Sequence, residues 1–84
     1  MRLDKFLKVS RVFKRRTVAK EIADHNRVFI NGRVAKPASN VEPDDILKIV
    51  YGNKEFTIKV LEIQNQASKD AAMNMYEVIE EKNV

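Results

Sequence analysis

Leu3, Phe6 and Leu7 stand at i, i+3 and i+4, the spacing of one helix face, while Lys5, Lys8 and Arg11 fall off that face. The spacing predicts a short helix over 2–10. Asp4 lies in its first turn, where a negative charge suits the helix dipole. Asp4 also stands four residues before Lys8, the favourable order for a helical ion pair. Val12-Phe13-Lys14 reads as a connection. Val18, Ala19, Ile22 and Ala23 then repeat the helical period and predict a second helix over about 15–25. Asn26 follows it, a residue that tolerates the left-handed position past a helix end. From Arg27 the pattern shortens to strands. Residues 27–30 and 33–35 flank Asn31-Gly32, the strongest short hairpin signal. Residues 37–40 form a loop, and Pro43-Asp44-Asp45 turns into a largely buried strand over 46–51. Gly52-Asn53 turns the chain again into an alternating strand over 56–63. After a polar break at 64–67, Ser68 caps a short helix over 69–75 with Asp70 in its first turn. For residues 73–79 the period leaves two readings open, a continued helix or a last strand, and 76–80 stay undecided between them.

These elements define an α+β fold: two N-terminal helices packed on a small, mainly antiparallel sheet, with a short C-terminal extension. With 84 residues the chain has room for one domain, and a domain of that size buries only about 60% of its unfolded surface. The hydrophobic fraction of 44% and charged fraction of 33% suit a globular fold rather than a disordered tail. No apolar run is long enough to span a membrane, so no membrane partner is expected. Met1-Arg2-Leu3-Asp4-Lys5 has neither the apolar stretch nor the cleavage site of a signal peptide. There is no cysteine, which favours the cytoplasm over a disulfide-stapled secreted domain. One histidine and no cysteine argue against zinc, and no cofactor or small-molecule substrate is expected.

Charge changes the picture more than composition does. Residues 1–36 carry eleven Lys/Arg and three acids, a balance of +8; residues 37–84 carry five Lys and nine acids, a balance of −4. One end of the chain therefore makes a positive field and the other does not. Arg15 and Arg16 sit in the first turn of the second helix, where the dipole disfavours cations. Such a locally costly choice points to function, because a phosphate would be drawn to both the arginines and the free backbone N–H groups. Together Arg2, Lys5, Lys8, Arg11, Lys14, Arg15, Arg16 and Lys20 make a candidate RNA-binding patch of two basic helices meeting at a turn. Phe6 reads as core and only Phe13 is otherwise near, so recognition of the backbone and shape of folded RNA fits better than base stacking. Asp4, an acid inside the patch, either orients Lys8 or a second-helix arginine or serves simply as a first-turn dipole residue. Arg16 is expected to be the most sensitive contact, with Arg16→Ala weakening binding at little cost in stability. No catalytic set is present: His25 reads as a helix-end residue, Asp44-Asp45 as turn residues, and Met73 and Met75 as packing residues.

Four spaced blocks carry a resemblance: Arg2-Leu3-Asp4-Lys5-Phe6-Leu7, Arg16-Thr17-Val18-Ala19-Lys20, Arg27-Val28-Phe29-Ile30-Asn31-Gly32 and Val41-Glu42-Pro43-Asp44-Asp45-Ile46. In this order they resemble the RNA-binding domain named after ribosomal protein S-four, also called the αL motif. That resemblance implies a core over residues 1–51, with 52–84 a strand-and-helix extension of the same domain. Two positions depart from the pattern, Asn26 for the usual Gly and Arg15 for the usual small polar residue. The family's catalytic members carry domains too large for the residues after 51. The beginning, the Lys14-Arg15-Arg16-Thr17 block and Ala71-Ala72-Met73-Asn74-Met75-Tyr76 are similar to stand-alone members that serve bacterial ribosome-associated quality control, relatives of the fifteen-kilodalton heat-shock protein. A monomer is expected, and the resemblance implies binding to ribosomal RNA of a large subunit holding peptidyl-tRNA. There it would contact the tRNA and support an RqcH-type factor in adding alanine to the stalled chain. The alternatives are a general RNA or DNA binder acting away from the ribosome, and a subunit of an enzyme whose catalytic domain lies on another chain.

Overall fold

In a computed structural model, residues 1–83 are described; Val84, the last position of the 52–84 extension, lies outside them. The elements run α1 (Leu3–Val9), α2 (Arg16–Asp24), β1 (Val28–Ile30), β2 (Arg33–Val34), β3 (Ile46–Tyr51), β4 (Lys54–Val60), α3 (Lys69–Ala72) and β5 (Tyr76–Asn83). The five strands form one sheet in the order β2-β1-β3-β4-β5, with every neighbouring pair antiparallel. The α+β architecture expected from the sequence is the one observed.

Register puts apolar side chains on one face. Val28 pairs with Ile49 and Leu47 with Ile58, and all four are buried. The helices supply Leu3, Phe6, Leu7, Ala19, Ile22 and Ala23 to the same core, with Val18 only half-buried beside it. On the other face Lys48 stands opposite Phe29 and Thr57, with its Nζ 5.6 Å from the Phe29 ring centre. Glu55 there receives Lys48 and Lys82, each at 3.1 Å. The hydrogen bonds from Lys82 and Lys48 hold its carboxyl below the usual carboxylate range.

Local chemistry sets the joints. Asn26 takes φ 60 just past His25, the C-cap of α2. Asn31 and Gly32, at φ 51 and 85, close the β1–β2 hairpin. The Asn31 amide also donates to Asp45 Oδ1 at 3.0 Å, and its Oδ1 accepts from the Ile46 N–H at 2.9 Å. Asp45 Oδ2 in turn accepts from the Glu42 N–H at 2.9 Å, so this carboxylate is spent on the turn.

In the C-terminal third the bounds of β4 and α3 differ from expectation, and the reading left open for 76–80 resolves as strand. β4 spans Lys54–Val60 rather than 56–63: Gly52-Asn53 alone closes the hairpin, Tyr51 pairs with Lys54, and the pairing with β5 ends at Val60 opposite Tyr76. α3 starts at the Ser68 cap, whose Oγ accepts from the Ala71 N–H at 3.1 Å, but ends at Ala72 rather than 75. Residues 76–80 lie within strand β5, held by the edge of β4 through a register shift between Thr57 and Ile58. The two methionines separate accordingly: Met75 is fully buried, whereas Met73 is 70% exposed and does not pack in the core.

Candidate nucleic-acid interface

The first turn of α1 is anchored by a loop rather than by a side-chain cap. Arg2 bridges Asn40 in an isolated antiparallel contact, the Leu3 N–H donates to Ser39 O at 2.8 Å, and the Asp4 N–H donates to Pro37 O at 3.1 Å. Two of the N–H groups that a helix start leaves without partners are satisfied in this way. The anchoring also sinks the Asp4 side chain to 3% exposure.

A buried carboxylate is costly unless it is paired and hydrogen-bonded. Asp4 is both. Its Oδ1 accepts from the Lys5 N–H at 2.8 Å, Arg2 Nε at 3.1 Å and Arg16 Nη2 at 3.3 Å; its Oδ2 accepts from Arg2 Nη2 at 3.1 Å. Burial pushes this carboxyl up, but hydrogen bonds from Arg2, Arg16 and the Lys5 N–H, with the Arg16 charge, outweigh burial and hold it below its ordinary value. Asp4 therefore ties α1 to the first residue of α2, and of the partners expected from the sequence it takes the second-helix arginine. It forms no ion pair with Lys8 among the described residues.

The arginines stay half outside, with side chains 50% exposed at Arg2 and 48% at Arg16. A guanidinium has five N–H donors; Asp4 takes two from Arg2 and one from Arg16. The rest can bind an external oxygen, and two guanidiniums held by one carboxylate lose less freedom on doing so. Beside them Arg15, the N-cap of α2, is extended and makes no side-chain capping bond. The pairing also changes the outlook for Arg16→Ala, since removing Arg16 takes one partner from a buried carboxylate.

The eight candidate cations fall into distinct local settings. Arg2 and Arg16 meet at Asp4. Lys8, Arg11 and Lys14 gather along a cleft whose far side is Asn65 and Gln66. Lys5 Nζ reaches Asn65 Oδ1 at 3.5 Å. Arg15 and Lys20 are exposed on α2. In the sequence nothing marks Asn65 and Gln66 beyond the polar break at 64–67. His25 caps the far end of α2, its Nδ1 2.7 Å from Glu21 O. Among the described residues no group of three or more His, Cys, Asp or Glu could hold a metal ion. No described helix is long and apolar enough to cross a membrane.

Two short basic helices, tied by a buried carboxylate and laid on an antiparallel sheet, define the class: the chain belongs to the S4-domain family, whose model matches residues 1–47. Similarity to particular members runs the full length. The chain is 50% identical over 84 residues to the RQC P-site tRNA stabilizing factor of Bacillus subtilis (strain 168), covering 100% of this chain and 98% of that protein. It is also 50% identical to the factor of the same name from Streptococcus pneumoniae (strain ATCC BAA-255 / R6), covering 96% of that protein. The trimeric structure of Vibrio cholerae Heat Shock Protein 15 matches with a TM-score of 0.85 at 32% identity, over 93% of this chain and 80% of that one.

Proposed function

We propose that this protein is a non-enzymatic RNA-binding factor of ribosome-associated quality control. In this reading it acts in the cytoplasm on a large ribosomal subunit that holds a P-site tRNA. It contacts ribosomal RNA and the tRNA through Arg2, Lys5, Lys8, Arg11, Lys14, Arg15, Arg16 and Lys20, with Asp4 orienting the arginines. By steadying the tRNA it supports an RqcH-type factor during alanine addition. Residues 1–51 form the RNA-binding core, and 52–84 extend the same domain. The observation that carries the proposal is the Asp4-held pair, Arg2 and Arg16, in a chain similar throughout to RQC P-site tRNA stabilizing factors. Arginine suits this role because its fork matches the two oxygens of a phosphate.

Sucrose-gradient sedimentation of a tagged chain tests the proposal. The chain should travel with large subunits and with the tRNA they retain. A chain that stays at the top of the gradient under low salt would overturn it. We propose one copy per subunit; a stable trimer in analytical ultracentrifugation would contradict that stoichiometry.

A further inference from the structure

A cleft of about 430 Å³ lies between the α1–α2 loop and the connection from β4 to α3. Small-ligand clefts span roughly 300–1,000 Å³, so this one has room for a group of the size of a nucleotide. It is separate from the Asp4-centred arginine pair and includes residues beyond the 1–47 segment that the S4-domain model matches.

Three kinds of chemistry meet in it. Lys8, Arg11 and Lys14 supply positive charge, and among the described residues none of the three is held in an ion pair. Asn65 and Gln66 line the same cleft, and their side-chain amides can both donate and accept. Lys5 Nζ reaches Asn65 Oδ1 at 3.5 Å, which leaves the Asn65 NH₂ group to another partner. Val9, Phe13 and Ala67 provide an apolar wall. The Phe13 ring is fixed edge-on to Tyr51, with centroids 5.3 Å apart, so that wall is preformed.

Arg11 adds a separate observation. It follows the C-cap of α1 with φ 65, a conformation that Gly or Asn adopts with less strain. An arginine at a strained backbone position, in a residue that lines the cleft, breaks a local rule where a ligand would explain it. An inorganic anion would use the cations alone. An unpaired nucleotide would use all three: its phosphate the cations, its base edge the amides, its flat face the apolar wall.

We propose that this cleft is a nucleotide subsite that takes one unpaired RNA nucleotide, with its phosphate at Lys8, Arg11 and Lys14 and its base edge at Asn65 and Gln66. The subsite rests on the reading of the chain as an RNA binder and adds to it a preference for an extruded or single-stranded base beside a structured stem.

The test is fluorescence anisotropy of the whole protein with two labelled RNA hairpins at one salt concentration, one fully paired and one carrying a single-nucleotide bulge. The bulged hairpin should bind about tenfold more tightly, the scale of one base contact. In the Asn65→Ala/Gln66→Ala variant the ratio of the two affinities should fall close to one. Asn65 and Gln66 are exposed loop residues, and the single variant Asn65→Asp, which replaces the amide donor at the base edge by an acceptor-only carboxylate, should lower the same ratio independently. Equal binding of the two hairpins by the native chain, or a ratio unchanged in the variants, would overturn the subsite while leaving the RNA-binding reading intact. If neither hairpin binds, the RNA-binding reading fails and the subsite fails with it.

Discussion

Asp4 ties the stability of the fold to the two arginines of the proposed RNA site. It is buried, yet its partners Arg2 and Arg16 reach solvent. Solvent screens the outer part of that interaction, so Asp4→Asn should destabilise the fold by about 1–2 kcal/mol, below the upper range for charged hydrogen bonds. Urea unfolding measures this. Asp4 has an ordinary carboxyl value of 3.8 that is lowered in the folded protein. Its stabilising contribution is therefore fully present above 3.8 and lost as pH falls through the lowered folded value. The stability difference between the native chain and Asp4→Asn should hold steady from about pH 7 to 5 and shrink below about pH 4. A difference that grew on acidification would contradict the pairing. Arg16→Ala leaves Asp4 with Arg2 and the Lys5 N–H, at a cost of about 0.5–1.5 kcal/mol. Arg16→Lys separates binding from folding more cleanly. It keeps a cation near Asp4 but loses the two-pronged grip, so the fold should persist while large-subunit affinity drops roughly tenfold.

At the scale of elements, the end of α1 makes its own prediction. Arg11→Gly should relieve the left-handed strain and raise stability by about 0.5–1 kcal/mol, roughly 3–6 °C in Tm, while weakening RNA binding. A fall in Tm would show that the arginine contributes to packing instead. The same scale shows why some elements were legible in the sequence. Asn31-Gly32 and Asn26 specify their own backbone, so the first hairpin and the end of α2 follow from local chemistry. Residues 73–79 were ambiguous because Met75, Tyr76 and Val78 suit either state, and the choice of strand is made by the edge of β4, which local periodicity does not contain. The candidate site was legible as charge and in one of the two partners expected for Asp4, a second-helix arginine. Nothing in the spacing of Arg2 and Arg16 reveals that one buried carboxylate gathers both, because that depends on the loop at 37–40 pinning α1. Asn65 and Gln66 are brought beside Lys8, Arg11 and Lys14 by the return of the chain from β4, and no sequence period links the two groups.

At the scale of the molecule, the charge asymmetry predicts one face for RNA and another for solvent or protein. Glu62 and Glu77 are exposed in the acidic part of the chain. Reversing either charge should leave RNA affinity unchanged or slightly higher, as read by anisotropy with a structured RNA. Strong loss of affinity in a folded variant would mean the RNA lies on the opposite face. If about half of the eight basic residues meet phosphates, affinity for structured RNA should fall roughly a thousandfold over a decade of salt. The most direct measurement is the salt dependence of large-subunit binding by the native chain and by Arg2→Gln/Arg16→Gln, with folding of both checked by circular dichroism. Each lost phosphate contact should reduce the slope of log affinity against log salt by roughly 0.7–0.9, so the double variant should bind more weakly and show a slope shallower by about 1.5. The same slope and the same affinity in the folded double variant would contradict the placement of RNA on the Asp4-held arginines.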